Sequence, residues 1–237
     1  MQHAGAPSPA RLRRELVKAL SLALVSFGAD ARNLTTRGNL NGDQTRRLLP
    51  AGLVAAIGGE LLASIAYLAG ARWAYASAAL AYLAGARWAY ASAALVRQLV
   101  EVEYLAWAVT NAPEDAWEWL KSDRETRLQR WQPGKIRQRS DGRFPNSDYH
   151  AHCEAGGHPI PGPAMNILDH RDQWVELSLY EAALHGTATW HYFLRAADDV
   201  SLVAAVESHH CLIDEAYEAW RRVETLDGYL SRADEAQ

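Results

Sequence analysis

The residues of this chain best suited to chemistry are Arg143 and His150, which have six residues between them. They flank the boundary between a loop and a short helix that we expect over residues 146–155. An arginine can hold a phosphate while a histidine moves a proton at a 2′-hydroxyl or a leaving oxygen, so such a pair can cleave RNA without a metal. Two surface residues beside a turn would show the same spacing, so the pattern leaves both interpretations open.

A cluster of histidines follows at once, with three of the nine histidines in residues 150–158. Such a cluster first suggests zinc. On a helix, however, His150 and His152 point about 200° apart, and no second ligand pair at the spacing of a zinc motif follows elsewhere. We therefore predict no metal and no cofactor, and we take His158 as a third candidate catalytic residue beside Arg143 and His150.

Arg97 and Glu101 lie four positions apart, the spacing that places two side chains on one helix face. Both are embedded in apolar sequence, so we expect them to be largely buried. Two interpretations stay open: a simple salt bridge, or the lining of a polar pocket to which Tyr149 and His152 also belong.

Other polar side chains of the C-terminal half are expected to have structural roles. Glu181 and His185 are also four apart, on a predicted helix, and we expect an ordinary core or surface histidine there. Cys153 and Cys211 belong to no paired motif, which favours a reducing compartment and a cytoplasmic location.

The charge of the chain is unevenly distributed. Residues 121–143 carry eight basic and three acidic side chains, whereas the whole chain has a net charge of −4. This basic strip predicts contact with RNA or a nucleotide, although a solvated helix face has the same composition.

The composition and periodicity predict an all-α fold. Apolar residues make up 49% of the chain and follow the helical repeat, while no segment alternates as a strand does. We expect a multi-helix bundle with long central helices, forming a single domain over 1–237 with internal loops at 132–147 and 156–164. The expected helices run from Pro9 to Phe27, from near Pro50, from Val96 to Val109, from Asp115 to Trp131, over 146–155, and in two long C-terminal segments.

The central region contains an exact tandem duplication, in which residues 66–80 are repeated as residues 81–95. Each copy contains one glycine, Gly70 or Gly85, that could end a helix. Because the copies are identical, the local sequence does not choose between these two corners. We expect the extra copy to lengthen a helix, since a looped-out copy would expose a large apolar area.

The apolar region over residues 50–109 could suggest a membrane span. Charged residues at Glu60, Arg72, Arg87 and Arg97 divide it into segments shorter than the ~20 residues that a spanning helix needs. We therefore predict buried helices and no membrane contact.

The segments LVRQLVEVEYL and SDYHAHCEAGGHP resemble an uncharacterised bacterial family of helical proteins related to the HEPN superfamily (higher eukaryotes and prokaryotes nucleotide-binding). The resemblance covers roughly residues 60–170. The family's recurring Arg, Glu, Tyr and His-Pro correspond here to Arg97, Glu101, Tyr149 and His158.

The resemblance implies a helical bundle, often dimeric, of a kind that frequently acts as a metal-independent ribonuclease in toxin or phage-defence systems. Arg143 and His150 match the spacing of the arginine and histidine used there. Phe144, however, follows the arginine where active families usually have a polar residue. This departure is typical of a member that binds without cleaving.

The leading hypothesis is a HEPN-like protein of a bacterial defence or toxin-type system that cleaves RNA at Arg143, His150 and His158 and forms a homo-oligomer. The alternative is a non-catalytic helical module that binds a protein partner or a nucleotide, which predicts a closed pair between Arg97 and Glu101. A third class is a metal-dependent hydrolase.

Overall fold

A computed structural model describes residues 7–38, 40–70, 89–157, 161–197 and 203–225. Within these ranges the chain is all-α, with ten α-helices and no strand. A π-helical turn over Arg127–Trp131 follows the helix Arg124–Thr126, and another over Cys153–Gly157 follows the helix Asn146–His152. The helices are α1 (Pro9–Thr36), α2 (Gly42–Gly70), α3 (Ala89–Asn111), α4 (Pro113–Lys121), α5 (Arg124–Thr126), α6 (Pro133–Arg139), α7 (Asn146–His152), α8 (Pro161–Asp169), α9 (Arg171–Ala197) and α10 (Val203–Arg221).

Helix α1 begins as predicted but continues nine residues beyond Phe27, to Thr36. Gly28, expected to end the helix, instead lies where α1 crosses α2: a Cβ atom added there would come within 2.8 Å of the Gly52 carbonyl oxygen. The helix ends before Gly38, whose φ of +69° suits glycine. The glycine at 28 therefore serves close helix packing and not termination.

Helix α2 begins at Gly42, eight residues before Pro50, where we had expected it to start. Asn41 caps it, because its Oδ1 atom accepts hydrogen bonds from the backbone N–H groups of Asp43 and Gln44. The Gln44 side chain in turn accepts from the N–H of Asn41 at 3.1 Å. This reciprocal capping box stabilises the first turn and places Pro50 inside the helix.

The duplicated segment is only partly described. Helix α2 ends at Gly70, in the first copy, and α3 begins at Ala89, in the second. The predicted choice between corners at Gly70 and Gly85 depends on residues 71–88, which lie outside the described ranges.

Three further expectations, one for a helix and two for loops, differ from the structure. The helix expected from Asp115 to Trp131 is interrupted after Lys121, and Asp123 caps a new one by accepting the Thr126 N–H at 2.8 Å. The expected loop at 132–147 contains α6, which begins with Pro133 at its first position and is anchored by the buried Ile136. The expected loop at 156–164 contains the first residues of α8.

Helices α1, α2, α3 and α9 pack together around the main core. Its largest fully buried side chains include Leu20 of α1, Leu62 of α2, Leu99 of α3, and Trp190 and Phe193 of α9. Helix α10 packs on α1, and α7 with its π-helical turn packs on α3. Helix α3 is therefore flanked by α7 and α9, and this arrangement positions the polar residues described below.

One described helix, α2, is long and apolar enough to cross a membrane over Gly42–Ala69, with a mean hydropathy of 1.8. In the structure 56% of that apolar window is buried within the protein. Its contacts with α1, α3 and α9 are those of a core helix, so its apolar character is explained without lipid.

Candidate metal centre

Three helices bring acidic and histidine side chains together beside the main core. Helix α7 contributes Asp148 and His152, which are four positions apart and so share one face. Helix α9 contributes Glu181 and His185 with the same spacing, and α3 contributes Glu103. Apart from Asp148, these side chains are 11–13% exposed, so water is largely excluded from the group.

The distances between these side chains match those between the ligands of a metal ion. One ligand atom each of Asp148, His152 and His185 lies within 4.8 Å of the other two. His152 Nε2 lies 3.4 Å from Asp148 Oδ1, and His185 Nε2 lies 3.2 Å from Glu181 Oε2. Two ligands of a tetrahedral ion with bonds of about 2.1 Å are separated by about 3.4 Å. The His152–Asp148 and His185–Glu181 pairs therefore already have the spacing of neighbouring ligands.

The other ring nitrogen of His185, Nδ1, also has a hydrogen-bond partner. Its Nδ1 atom lies 2.6 Å from Oε2 of Glu103, which is buried on α3. A histidine that binds a metal through Nε2 usually donates its Nδ1–H to a carboxylate, which fixes the ring and its tautomer. Glu103 and His185 have this arrangement.

The pKa values of His185 and Asp148 are shifted by the neighbours that these two side chains contact. Burial opposes a charge on His185, but its hydrogen bonds to Glu103 and Glu181 outweigh that effect and hold its pKa well above the usual value. Burial also opposes the charge of Asp148, yet its hydrogen bond with His152 and the nearby positive groups lower the pKa of this carboxyl. Asp148 is thus a carboxylate, the form that binds metal, whereas His185 must release its Nε2 proton before that nitrogen can bind an ion.

A second polar group joins α3 to α7 through Tyr149, the residue after Asp148. Arg97 Nη2 lies 3.0 Å from Glu101 Oε1, which is the closed pair that the non-catalytic alternative predicts. The Tyr149 hydroxyl lies 3.4 Å from both side chains, accepting from Arg97 and donating to Glu101. The predicted pocket residues Arg97, Glu101 and Tyr149 are therefore brought together, whereas His152 belongs to the metal-ligand group.

Of the residues predicted to cleave RNA, His150 contacts the second group through Tyr149, whereas Arg143 has a partner outside both groups. Arg143 is exposed and donates to the Tyr192 hydroxyl on α9 at 3.3 Å. His150 lies on the exposed side of α7, with its ring against Tyr149. His158 falls outside the described residues, so the predicted trio cannot be placed as a unit.

The predicted basic strip is partly neutralised by its own neighbours. Arg130 pairs with both Asp115 and Glu118 of α4. Arg139 also reaches Asp115, at 3.3 Å, and Lys121 lies over the Trp117 ring. Two of the eight basic side chains, Arg130 and Arg139, are thus paired with carboxylates of α4, and contact of the strip with RNA or a nucleotide stays a prediction.

Sequence reasoning missed the ligand group because its members come from distant segments. His185 was expected to be structural, and Asp148 and Glu103 were not singled out. The available signal was the pairing of an acid with a histidine four residues later, which occurs at Asp148 with His152 and at Glu181 with His185. A search for ligand pairs at zinc-motif spacing within one segment does not find it.

The fold and this centre define the class: an all-α bundle with a buried histidine–carboxylate group. Comparisons of the chain with protein-family models, curated proteins and solved structures find no match.

Proposed function

We propose that this protein is a metal-dependent hydrolase that holds one divalent ion, of the zinc type, between Asp148, His152 and His185. The observation that carries the proposal is the convergence of these three ligand atoms within 4.8 Å, with both imidazoles only 11–13% exposed. Two imidazoles and one carboxylate are a ligand set of catalytic zinc sites, which keep a further position for water or substrate.

Glu181 is the residue that would receive the proton of that water. Its Oε2 atom lies 3.2 Å from His185 Nε2 and 3.7 Å from His152 Nε2, so it borders the proposed ion position. A zinc ion lowers the pKa of bound water to about 7. A neighbouring carboxylate can then take the proton as the water adds to substrate, and deliver it to the leaving group.

Zinc titration of the metal-free protein tests the proposal. We expect one zinc ion per chain for the wild type, detected by elemental analysis after dialysis, and none for His152→Ala or His185→Ala. His210→Ala is the matched control, because His210 and Asp214 of α10 are also four apart but their side chains are 37% and 49% exposed. A wild type that retains no zinc, or loss of zinc in the control alone, contradicts the proposal.

The predictions drawn from the sequence resemblance stay predictions: a HEPN-like protein of a defence or toxin system, cytoplasmic and homo-oligomeric, that cleaves RNA through Arg143 and His150. An RNA-degradation assay separates this hypothesis from the proposed hydrolase. Cleavage that persists in EDTA and is lost in His150→Ala supports the metal-independent ribonuclease. Cleavage that EDTA abolishes and His150→Ala retains supports the metal centre.

A further inference from the structure

Unsatisfied hydrogen-bond donors accumulate on one side of the proposed metal centre. In the described residues, eight buried side-chain nitrogen or oxygen atoms have no hydrogen-bond partner, and four of them belong to Arg97, Tyr104 and Arg137. These four are Arg97 Nε, Arg137 Nε, Arg137 Nη1 and the Tyr104 hydroxyl. Buried donors without acceptors are rare in folded proteins and each one costs stability, so a group of them indicates a missing acceptor.

The three side chains surround the ring of Tyr149, next to the metal ligand Asp148. The guanidinium carbon of Arg137 lies 4.2 Å from the centre of that ring, and that of Arg97 lies 5.9 Å away. The rings of Tyr104 and Tyr149 are 6.3 Å apart. The positive charge of Arg137 is one of the effects that lower the pKa of Asp148. The three side chains therefore lie around Tyr149, the residue that follows Asp148 on α7.

Tyr104 is the most deeply buried of the three residues. Its side chain is 1% exposed, and its hydroxyl faces neither solvent nor a protein acceptor. Burial and the charge of Asp148 raise its pKa, so the phenol keeps its proton and can only act as a neutral donor or acceptor. An oxygen atom brought beside Arg137 would satisfy it.

The chemistry of these donors selects an oxyanion. The Nε and Nη1 atoms of Arg137 form one edge of the guanidinium fork, which matches two oxygens of a phosphate or carboxylate. With Arg97 Nε and the Tyr104 hydroxyl, four donors are present around Tyr149. Four donors would use all of the about four lone-pair sites of a carboxylate and leave none for the metal. A phosphoryl group has three non-bridging oxygens, and one of them can also approach the metal.

We propose that Arg137, Tyr104 and Arg97 form a phosphoryl-binding subsite beside the metal centre, and that the substrate is a phosphate ester. This inference rests on the proposed function. In the reaction, the water oxygen forms a bond to phosphorus and the bond between phosphorus and the ester oxygen breaks. The proton of the water passes to Glu181 and then to the leaving oxygen, so no other reactant is needed. Arg137 and Tyr149 are only partly buried, so the proposed subsite adjoins the protein surface.

The test is isothermal titration of the zinc-loaded full chain with inorganic phosphate, and in parallel with acetate. We expect phosphate to bind and acetate to bind more weakly. Tyr104→Phe and Arg137→Lys should each lower the affinity for phosphate roughly tenfold or more, because each removes hydrogen bonds to a charged group. Arg139→Lys is the control, since Arg139 faces Asp115 and Trp131 and should leave the affinity unchanged.

Zinc content, measured in the same samples, separates the two proposals. A wild type that binds no zinc overturns the metal centre and the subsite together. Zinc bound at one ion per chain, with phosphate affinity equal in the wild type and both variants, overturns the subsite alone. Acetate binding more tightly than phosphate overturns the assignment of a phosphate ester. Retained zinc in Tyr104→Phe shows that the variant is folded.

Discussion

Oε2 of Glu103 on α3 lies 2.6 Å from Nδ1 of His185 on α9, although 82 positions separate the two residues in the sequence. Both side chains are buried, and the contact joins two of the four helices around the main core. It also leaves Nε2 as the only ring nitrogen of His185 that can bind a metal. One contact thus links the packing of the bundle to the orientation of a proposed ligand.

Glu103→Gln is expected to weaken zinc binding by about 10- to 100-fold, because the amide is a poorer acceptor for the Nδ1–H of His185 and leaves Nε2 less basic. Competition with a chelator of known affinity measures this change. Glu101→Gln is the control: Glu101 pairs with Arg97, so its loss should leave zinc affinity unchanged. Equal affinities in wild type and Glu103→Gln would show that Glu103 does not support the ligand.

Arg13 and Arg14 are adjacent arginines that differ in burial, so replacing each by alanine should change the free energy of unfolding by different amounts. Arg13 is 4% exposed and binds Glu224 at 2.8 Å and Glu176 at 2.9 Å. Arg13→Ala removes the cation that faces the fully buried Glu224 carboxylate and should lower the free energy of unfolding by roughly 3–5 kcal/mol. Arg14 is more exposed and lies 3.6 Å from Glu176, so Arg14→Ala should cost about 0–1 kcal/mol. Urea denaturation of both variants tests the difference, and equal losses would contradict it.

Gly52→Ala should destabilise the contact between α1 and α2. A Cβ atom at position 52 would lie 2.5 Å from the Cβ of Ala31, so one helix must move. We expect a loss of about 1–3 kcal/mol in thermal or urea unfolding. Gly42→Ala is the control, because a Cβ atom there meets nothing within 4 Å. A Gly52→Ala variant as stable as Gly42→Ala would show that the helices separate at little cost.

Deletion of residues 81–95 should leave the fold and zinc binding intact. The described helices use residues 66–70 at the end of α2 and residues 89–95 at the start of α3. Residues 74–80 are identical to 89–95, so after the deletion they can form the start of α3, leaving three residues to connect the helices. Such a connection is within the range common in helical bundles. Aggregation of the variant, or loss of its zinc binding, would show that the second copy has become structural.

The helical class follows from the sequence because the apolar repeat is strong along the whole chain. Helix boundaries were less predictable. A glycine such as Gly28 often ends a helix, but here it lets α1 pack closely on Gly52 and Ala56 of α2. Those contacts are distant in sequence and could not be read from the residues around Gly28. The closed pair of Arg97 and Glu101 could be anticipated because both lie on one helix. The ligand group could not, because His152 and His185 meet only when α7 and α9 pack near α3.

Anomalous diffraction from crystals of the zinc-loaded protein, recorded at the zinc absorption edge, tests the central claim most directly. We expect one strong peak between α7 and α9, at about 2.0–2.1 Å from Nε2 of both His152 and His185, with an Asp148 oxygen as the third ligand. A peak only at the exposed group of His191, His210 and Asp214, or none at all, would contradict it.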